Sequence, residues 1–432
     1  MVLQQATIQD VLRNAETEEE LGIPLVIVND LLLRLLYNEA QVSLTRATEV
    51  IRVHARLLDT ILEQMQYEHL VEVVSAGAIG RMSYVYQLTE AGRARAREAF
   101  ERSHYVGPAP VSLERYNLAI RLQTDDVISV RPENVKAALA ELVLPEDFHR
   151  RIGLAINAGH SLFLYGPPGN GKSTTAECIG RLLAAENAIW LPYAVTVGGQ
   201  IITVYDPLVH QPVPVPRDRT SQLGVDRRWG LFQRPSVTVG GELTLEALEL
   251  RYDPITKFYE APLQMKANGG MLLIDDFGRQ QISPAALLNR WIVPLESRID
   301  YLQLRTGQTM EVPFRQFLVF STNLDPKDLV DEAFLRRIQV KVGMGRPDER
   351  MYYQIFVRVC EQLKIPFDKD AFAHLIKKWY RSGKQKMQAV HPRDLLNLVV
   401  AICEYEGQPK HLTPELIDEA CDSYFVKDEL IA

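Results

Sequence analysis

The residues Gly166-Pro-Pro-Gly-Asn-Gly-Lys-Ser173 fit the spacing G-x-x-x-x-G-K-[ST] without a mismatch. The chemistry open to such a run is the holding of phosphate. Gly169 and Gly171 let the backbone curl closely around an anion, Lys172 would neutralise phosphate charge, and the Ser173 hydroxyl would hold Mg²⁺. The apolar run Ser161-Leu-Phe-Leu-Tyr165 reads as a buried strand leading in, and Ser173 to Ala184 as a helix leading out. The loop then sits at a helix N-terminus, where unpaired N–H groups and the positive end of the dipole face the β- and γ-phosphates. Gly166, Pro167, Pro168, Gly169, Asn170, Gly171, Lys172, Ser173 and Thr174 are the candidate nucleotide contacts.

A second set of chemistry-bearing residues follows. Gly270-Met-Leu-Leu-Ile-Asp-Asp276 is a buried strand ending in two carboxylates, of which Asp275 would bind Mg²⁺ and Asp276 would orient and deprotonate an attacking water. Phe317-Leu-Val-Phe-Ser-Thr-Asn323 is another buried strand, ending in an amide that would sense the terminal phosphate or help hold the water. In Asp331-Glu-Ala-Phe-Leu-Arg-Arg337 the paired arginines are hard to place in a core. One or both would enter a neighbouring subunit's site as a finger, although an isolated Arg-Arg reads first as a surface ion pair.

The elements that must position these groups fall into four stretches. Residues 1–105 open with an acidic, solvated lead-in to about residue 22. Three helical patterns follow, then the period-two stretches Leu70-Val-Glu-Val-Val74 and Met82 to Leu88 around the turn Ser75–Gly80. This N-terminal domain looks like a winged helix. The polar face of its third helix mixes Arg52, His54, Arg56, Asp59 and Glu63, and DNA contact would need a basic surplus there, so protein contact or oligomer packing stands ahead of DNA binding. Residues 106–143 read as a linker, 144–345 as an α/β domain with an insertion at 193–260, and 346–432 as a helical lid. Within the insertion, Thr196-Val-Gly-Gly199 and Thr238-Val-Gly-Gly241 read as paired hairpins. Between them the basic segment from Arg217-Asp-Arg219 through Arg227 to Arg234 reads equally as a mobile or a partner-engaging loop.

These motifs, in this order, resemble the AAA+ ATPases. The resemblance covers about residues 140 to 430 and rests on five motifs in register: the Walker A loop, the Walker B strand, the sensor 1 strand ending in Asn323, the arginine-finger helix, and His391-Pro-Arg393 as sensor 2. It implies a P-loop NTPase fold, an α/β parallel sheet with helices on both faces, under a C-terminal helical lid. It also implies Arg393 projecting from that lid onto the γ-phosphate, ATP and Mg²⁺ as cofactors, and a homo-oligomeric ring, commonly a hexamer, acting on an unidentified protein client. Ala267 to Asp276 looks most like enhancer-binding transcription activators and Ala333 to Arg337 like MoxR-type chaperones, clades that carry hairpin insertions. Most relatives have Glu where Asp276 stands. The side chain is one methylene shorter, which implies slow hydrolysis and leaves a nucleotide-dependent switch, or a DNA-tethered regulator, as alternatives to a remodelling machine.

The composition agrees with this reading. The chain has 432 residues, 47% hydrophobic and 24% charged, with a net charge of −7 that argues against non-specific nucleic-acid binding by the whole surface. No apolar run is long enough to span a bilayer, and the first residues lack the basic start and apolar core of a signal peptide, so a cytoplasmic location without membrane contact is expected. Cysteines 178, 360, 403 and 421 have no C-x-x-C spacing and read as reduced core residues, with no zinc site.

Overall fold

The apolar runs that flank the candidate site form strands because they can be covered on both faces, as parallel strands require. The computed structural model describes residues 7–76, 80–125, 129–159, 161–214, 224–329, 332–383 and 385–425. Its central sheet has five strands in the order Ser236–Val239, Met271–Ile274, Phe317–Thr322, Ser161–Tyr165 and Val340–Gly343. Val340–Gly343 runs parallel to Ser161–Tyr165, pairing Val340 with Leu162 and Gly343 with Tyr165. Met271–Ile274 and Phe317–Thr322 are buried at every position. This is the α/β P-loop arrangement, and the chain as a whole divides into two compact units.

One unit comprises Met1–Ile128, Leu183–Leu273 and Gln280–Leu318. Its first part holds the helices Leu25–Glu39, Leu44–Ile51 and Ala55–Tyr67 and a three-stranded sheet ordered Gln41–Ser43, Val85–Leu88, Val71–Ser75. Residues 77–79, at the turn of the expected hairpin, lie outside the described residues. The acidic lead-in is not solvated throughout. Short helices Ile8–Val11 and Glu18–Leu21, capped by the Thr7 and Thr17 hydroxyls, bury Val11, Leu12 and Leu21, while Glu18, Glu19 and Glu20 occupy an exposed first turn where the helix dipole favours them.

The stretch 106–143, expected to be a linker, instead carries the helix Leu113–Thr124, with Tyr116, Ala119 and Ile120 fully buried, and the helix Pro132–Ala138. Loop composition misled here because Gly107-Pro-Ala-Pro110 is followed directly by a strand, Val111–Ser112, that pairs with Ala194–Val197. The two glycine pairs of the insertion are not equivalent either. Gly198 and Gly199, at φ 55 and 75, turn the hairpin Ala194–Val197 to Gln200–Thr203 as the positive-φ turn type demands. Thr238-Val-Gly-Gly241 instead ends the edge strand of the central sheet. The basic segment is corrected too. Arg217-Asp-Arg219 lies outside the described residues, but Trp229–Phe232 is a strand antiparallel to Ile189–Pro192, and Arg228 and Arg234 are buried.

The other unit comprises Ser129–Leu182, Ile274–Arg279 and Val319–Ala432. Phe163 packs edge-on to Phe277 and stacks on Phe320, with centroids 6.0 and 5.8 Å apart. The lid helices Glu349–Leu363, Lys369–Leu375, His391–Tyr405 and Pro414–Tyr424 enclose Phe356, Leu375, Leu395 and Ile417, and a π-helical turn, Ile376–Tyr380, follows the second of them. All four cysteines are free and buried. Among the described residues no helix is long and apolar enough to cross a membrane.

Candidate active site

The phosphate loop leaves the end of Ser161–Tyr165 and enters the helix Lys172–Ala185. The first helical bond runs from Thr175 N–H to the Gly171 carbonyl at 2.8 Å, so the N–H groups ahead of it have no helical acceptor. Glycine is needed at two places. Gly166 has φ 139, and a Cβ there would lie 2.2 Å from the Met344 carbonyl oxygen. Gly169 has φ 74, and a Cβ would meet Val390 Cγ1 at 2.8 Å.

Lys172 is 6% exposed. Its Nζ donates to the carbonyls of Gly166 and Pro167, both at 2.9 Å, so the loop's own backbone holds the amine. Burial pulls its pKa below the usual lysine value, opposed by the charges of Asp275 and Asp276. A phosphate at this loop would add a stronger counter-charge.

The carboxylates of Asp275 and Asp276 have different surroundings. Asp275 Oδ1 accepts from Ser173 Oγ at 3.1 Å and from the Asp276 N–H at 3.0 Å. The Ser173 hydroxyl and the Asp275 carboxylate are hard oxygen donors beside the phosphate loop, a set that fits Mg²⁺. Magnesium takes one or two protein oxygens, phosphate oxygens and waters rather than a cage of side chains. Among the described residues there is no group of three or more His, Cys, Asp or Glu that could hold a metal ion. Asp276 is exposed and has φ 49, left-handed backbone that costs a non-glycine residue roughly 1–2 kcal/mol. In that conformation its Oδ1 accepts from Asn323 Nδ2 at 2.9 Å. Two neighbouring bonds fix the strand ends that carry them: Phe277 N–H to the Ser321 carbonyl at 2.7 Å, and Thr322 Oγ1 to the Phe277 carbonyl at 2.7 Å.

These groups surround a cavity of about 510 Å³, within the range of small-molecule sites. Pro168, Gly169, Asn170, Gly171, Lys172, Ser173, Thr174, Asp276, Asn323 and Arg393 all line it. Gly166 and Pro167 stand behind it and supply the carbonyls that hold Lys172. Arg336 is exposed and Arg337 half-buried, on the helix Glu332–Arg337, and neither lines this cavity.

Several lining residues escaped the sequence. Ile355, Arg358, Val359 and Gln362 form one face of a lid helix, and Glu141, Leu142, Val143 and Leu144 form the opposing wall. Arg358 Nη1 donates to the Ala140 carbonyl at 2.8 Å and joins the two. The helical spacing of the lid residues was the available signal, and it reads equally as core packing. Two further bonds tie the lid to the loop: Val390 N–H to the Gly169 carbonyl at 2.9 Å, and Ala389 N–H to Asn170 Oδ1 at 3.2 Å.

A family model described as magnesium chelatase, subunit ChlI, matches residues 138–192, the stretch that holds the phosphate loop and one cavity wall. A second model, described as a domain of unknown function (DUF8689), matches residues 348–423, most of the lid. No curated protein matches the chain in sequence. Among solved structures, the P216G mutant of Thermotoga maritima RuvB is 15% identical, with 69% of this chain and 72% of that one covered and a TM-score of 0.37. NtrX from Brucella abortus in complex with ADP is 15% identical, with 79% and 69% covered and a TM-score of 0.41. The phosphate loop with its strand-end carboxylates and Asn323, together with the chelatase match across that loop, supports a resemblance to the AAA+ ATPases, with a nucleotide and Mg²⁺ as cofactors.

Proposed function

We propose that this protein binds MgATP in the cavity, hydrolyses it, and uses the cycle to remodel a protein partner as a ring of identical subunits, commonly six. The observation that carries the reading is the juxtaposition of two pairs at one loop: Ser173 with Asp275 at 3.1 Å and Asp276 with Asn323 at 2.9 Å. The first pair would hold Mg²⁺ beside the phosphate loop, where it would supply charge neutralisation. The second presents a carboxylate, held by an amide, where an attacking water would stand. Lys172 and Arg393 supply positive charge to the phosphates. Asp276 would take the water's proton as the water oxygen bonds to the γ-phosphorus and the bond from that phosphorus to the bridging oxygen breaks, with ADP as the leaving group. Arg336 or Arg337, outside the cavity of its own chain, would serve the neighbour's.

We read the N-terminal part as a winged-helix domain that contacts protein. Arg81 Nε and Nη1 donate to Asp59 and Glu63, at 2.9 and 2.6 Å, on the helix that a DNA-binding reading would place in the major groove. That basic side chain is occupied by its own acids, and Arg52 lies 4.1 Å from the Tyr193 ring centroid rather than facing solvent alone. This favours a protein-facing role over the DNA-tethered alternative.

A second reading, a slow nucleotide switch, draws on the short side chain of Asp276 and its bond to Asn323. Asp276→Glu separates the two: the motor reading expects the rate to hold or rise, the switch reading expects little turnover from either form. The reading as a whole is tested by Lys172→Ala, which removes the buried positive charge and should abolish ATP binding measured by calorimetry. Unchanged affinity would remove the phosphate loop from the account.

A further inference from the structure

Arg393 is the cavity residue with the least support of its own. It lies in the first turn of His391–Tyr405, and its side chain is 67% exposed. A long, exposed arginine samples many rotamers and loses entropy when it is fixed. Its Nε, however, donates to Asp394 Oδ1 at 3.3 Å. That bond uses the inner nitrogen of the guanidinium and leaves the two outer ones, the fork that grips phosphate oxygens in pairs. The other oxygen of Asp394 accepts from the Tyr424 hydroxyl at 3.0 Å.

Tyr424 is in turn held. Its ring packs against Phe425 and His391, with centroids 5.0 and 5.6 Å away. His391 Nδ1 meets the Tyr380 hydroxyl at 2.9 Å, and Tyr380 meets the Tyr352 hydroxyl at 2.8 Å. Tyr380 reaches this chain from the end of the π-helical turn Ile376–Tyr380, a form of backbone that often marks functional positions. Burial, with the bond to Asp394 and its charge, pushes the Tyr424 phenol up to about 12, so it remains a donor near neutrality.

We propose that Asp394 and Tyr424 are positioning residues: they set the plane of the Arg393 guanidinium so that its outer nitrogens face the nucleotide cavity. This rests on the reading that Arg393 serves the terminal phosphate. An acid in a helix's first turn also suits the helix dipole. That role would need neither Tyr424 nor Arg393, and the test exploits the difference.

The experiment measures kcat and KM for ATP on the full chain in Arg393→Ala, Asp394→Ala, the double variant, Tyr424→Phe and Asp394→Asn. Asp394→Ala should lower kcat by about 10- to 10²-fold with a smaller change in KM, up to the scale expected from misplacing a catalytic group by about 1 Å. In the Arg393→Ala background it should cost nothing further. Tyr424→Phe, which deletes one oxygen and keeps the ring, should shift kcat in the same direction by less. Asp394→Asn should recover most of the rate, because its amide oxygen still accepts from Arg393. Equal losses in both backgrounds, or unchanged kcat in Asp394→Ala or Tyr424→Phe, overturns the proposal. Unchanged kcat in Arg393→Ala itself overturns the phosphate role of that arginine and the proposal with it.

Discussion

Lys172 and Arg228 are both nearly out of solvent, at 6% and 1% exposure, and they belong to different compact units. Around Arg228 each guanidinium nitrogen has an acceptor. Its Nε and Nη2 donate to Asp226, its Nη1 to the carbonyls of Leu21 and Pro110, and Arg115 Nη1 lies 3.1 Å from Asp226 Oδ2. Arg115 also donates to the carbonyls of Val11 and Arg13. The cluster therefore fastens the N-terminal segment to the rest of its unit. Around Lys172 the bonding is partial: two loop carbonyls hold the amine, Asp276 has one amide partner, and Arg393 shows an ion pair through Nε. On the proposed function, that difference separates structural charge from working charge in this protein. Structural charge is saturated by partners from distant parts of the chain. Working charge is held from behind, with donors and acceptors left facing a cavity.

The comparison can be broken at its structural end first. Asp226→Ala would leave the buried Arg228 and the half-buried Arg115 without a counter-charge, and such breaks cost about 3–5 kcal/mol. The urea midpoint should fall accordingly while folded protein still binds ATP. A loss below about 1 kcal/mol, the scale of an exposed pair, would mean the cluster is not the fastening described.

At the working end, Arg336→Ala or Arg337→Ala should retain ATP binding and lose turnover by about 10³-fold, as arginine fingers do. Per-subunit turnover of the wild type should also rise with protein concentration. Turnover independent of concentration down to the monomer, checked by light scattering, would place the finger elsewhere.

A smaller effect comes from His391. Burial holds its pKa at about 4, below the ordinary 6.5. The unfolded chain therefore binds the proton more readily than the folded one between those values. The stability is fully present above about pH 6.5 and declines as pH falls toward 4, by at most roughly 3 kcal/mol. His391→Gln, which keeps an acceptor for Tyr380, should flatten the melting temperature across that window; an unchanged slope would assign the pH dependence to other groups.

What was visible in the sequence follows the same division. The phosphate loop is eight consecutive residues, and its chemistry depends on their order alone, so it could be read directly. Asp275, Asp276 and Asn323 end apolar runs and were visible for that reason. The Arg228 cluster was not, because Leu21 and Pro110 lie 207 and 118 positions away. The Arg228 stretch reads from its composition equally as a mobile or a partner-engaging loop, since composition cannot show that a charge has found buried partners. Arg358 and Gln362 went unseen because a polar residue on a helix face lines a cavity only if another segment covers it. The left-handed backbone of Asp276 also left no sign, being set by the turn after the strand.

The central claim, that this cavity hydrolyses ATP with Asp276 as the base, is tested most directly by steady-state phosphate release from wild type and Asp276→Asn beside equilibrium ATP binding. The amide keeps the shape and the bond to Asn323 but cannot take a proton. Binding should be retained while turnover falls by about 10²- to 10⁴-fold, the usual contribution of a general base. Hydrolysis by Asp276→Asn at the wild-type rate would contradict the account.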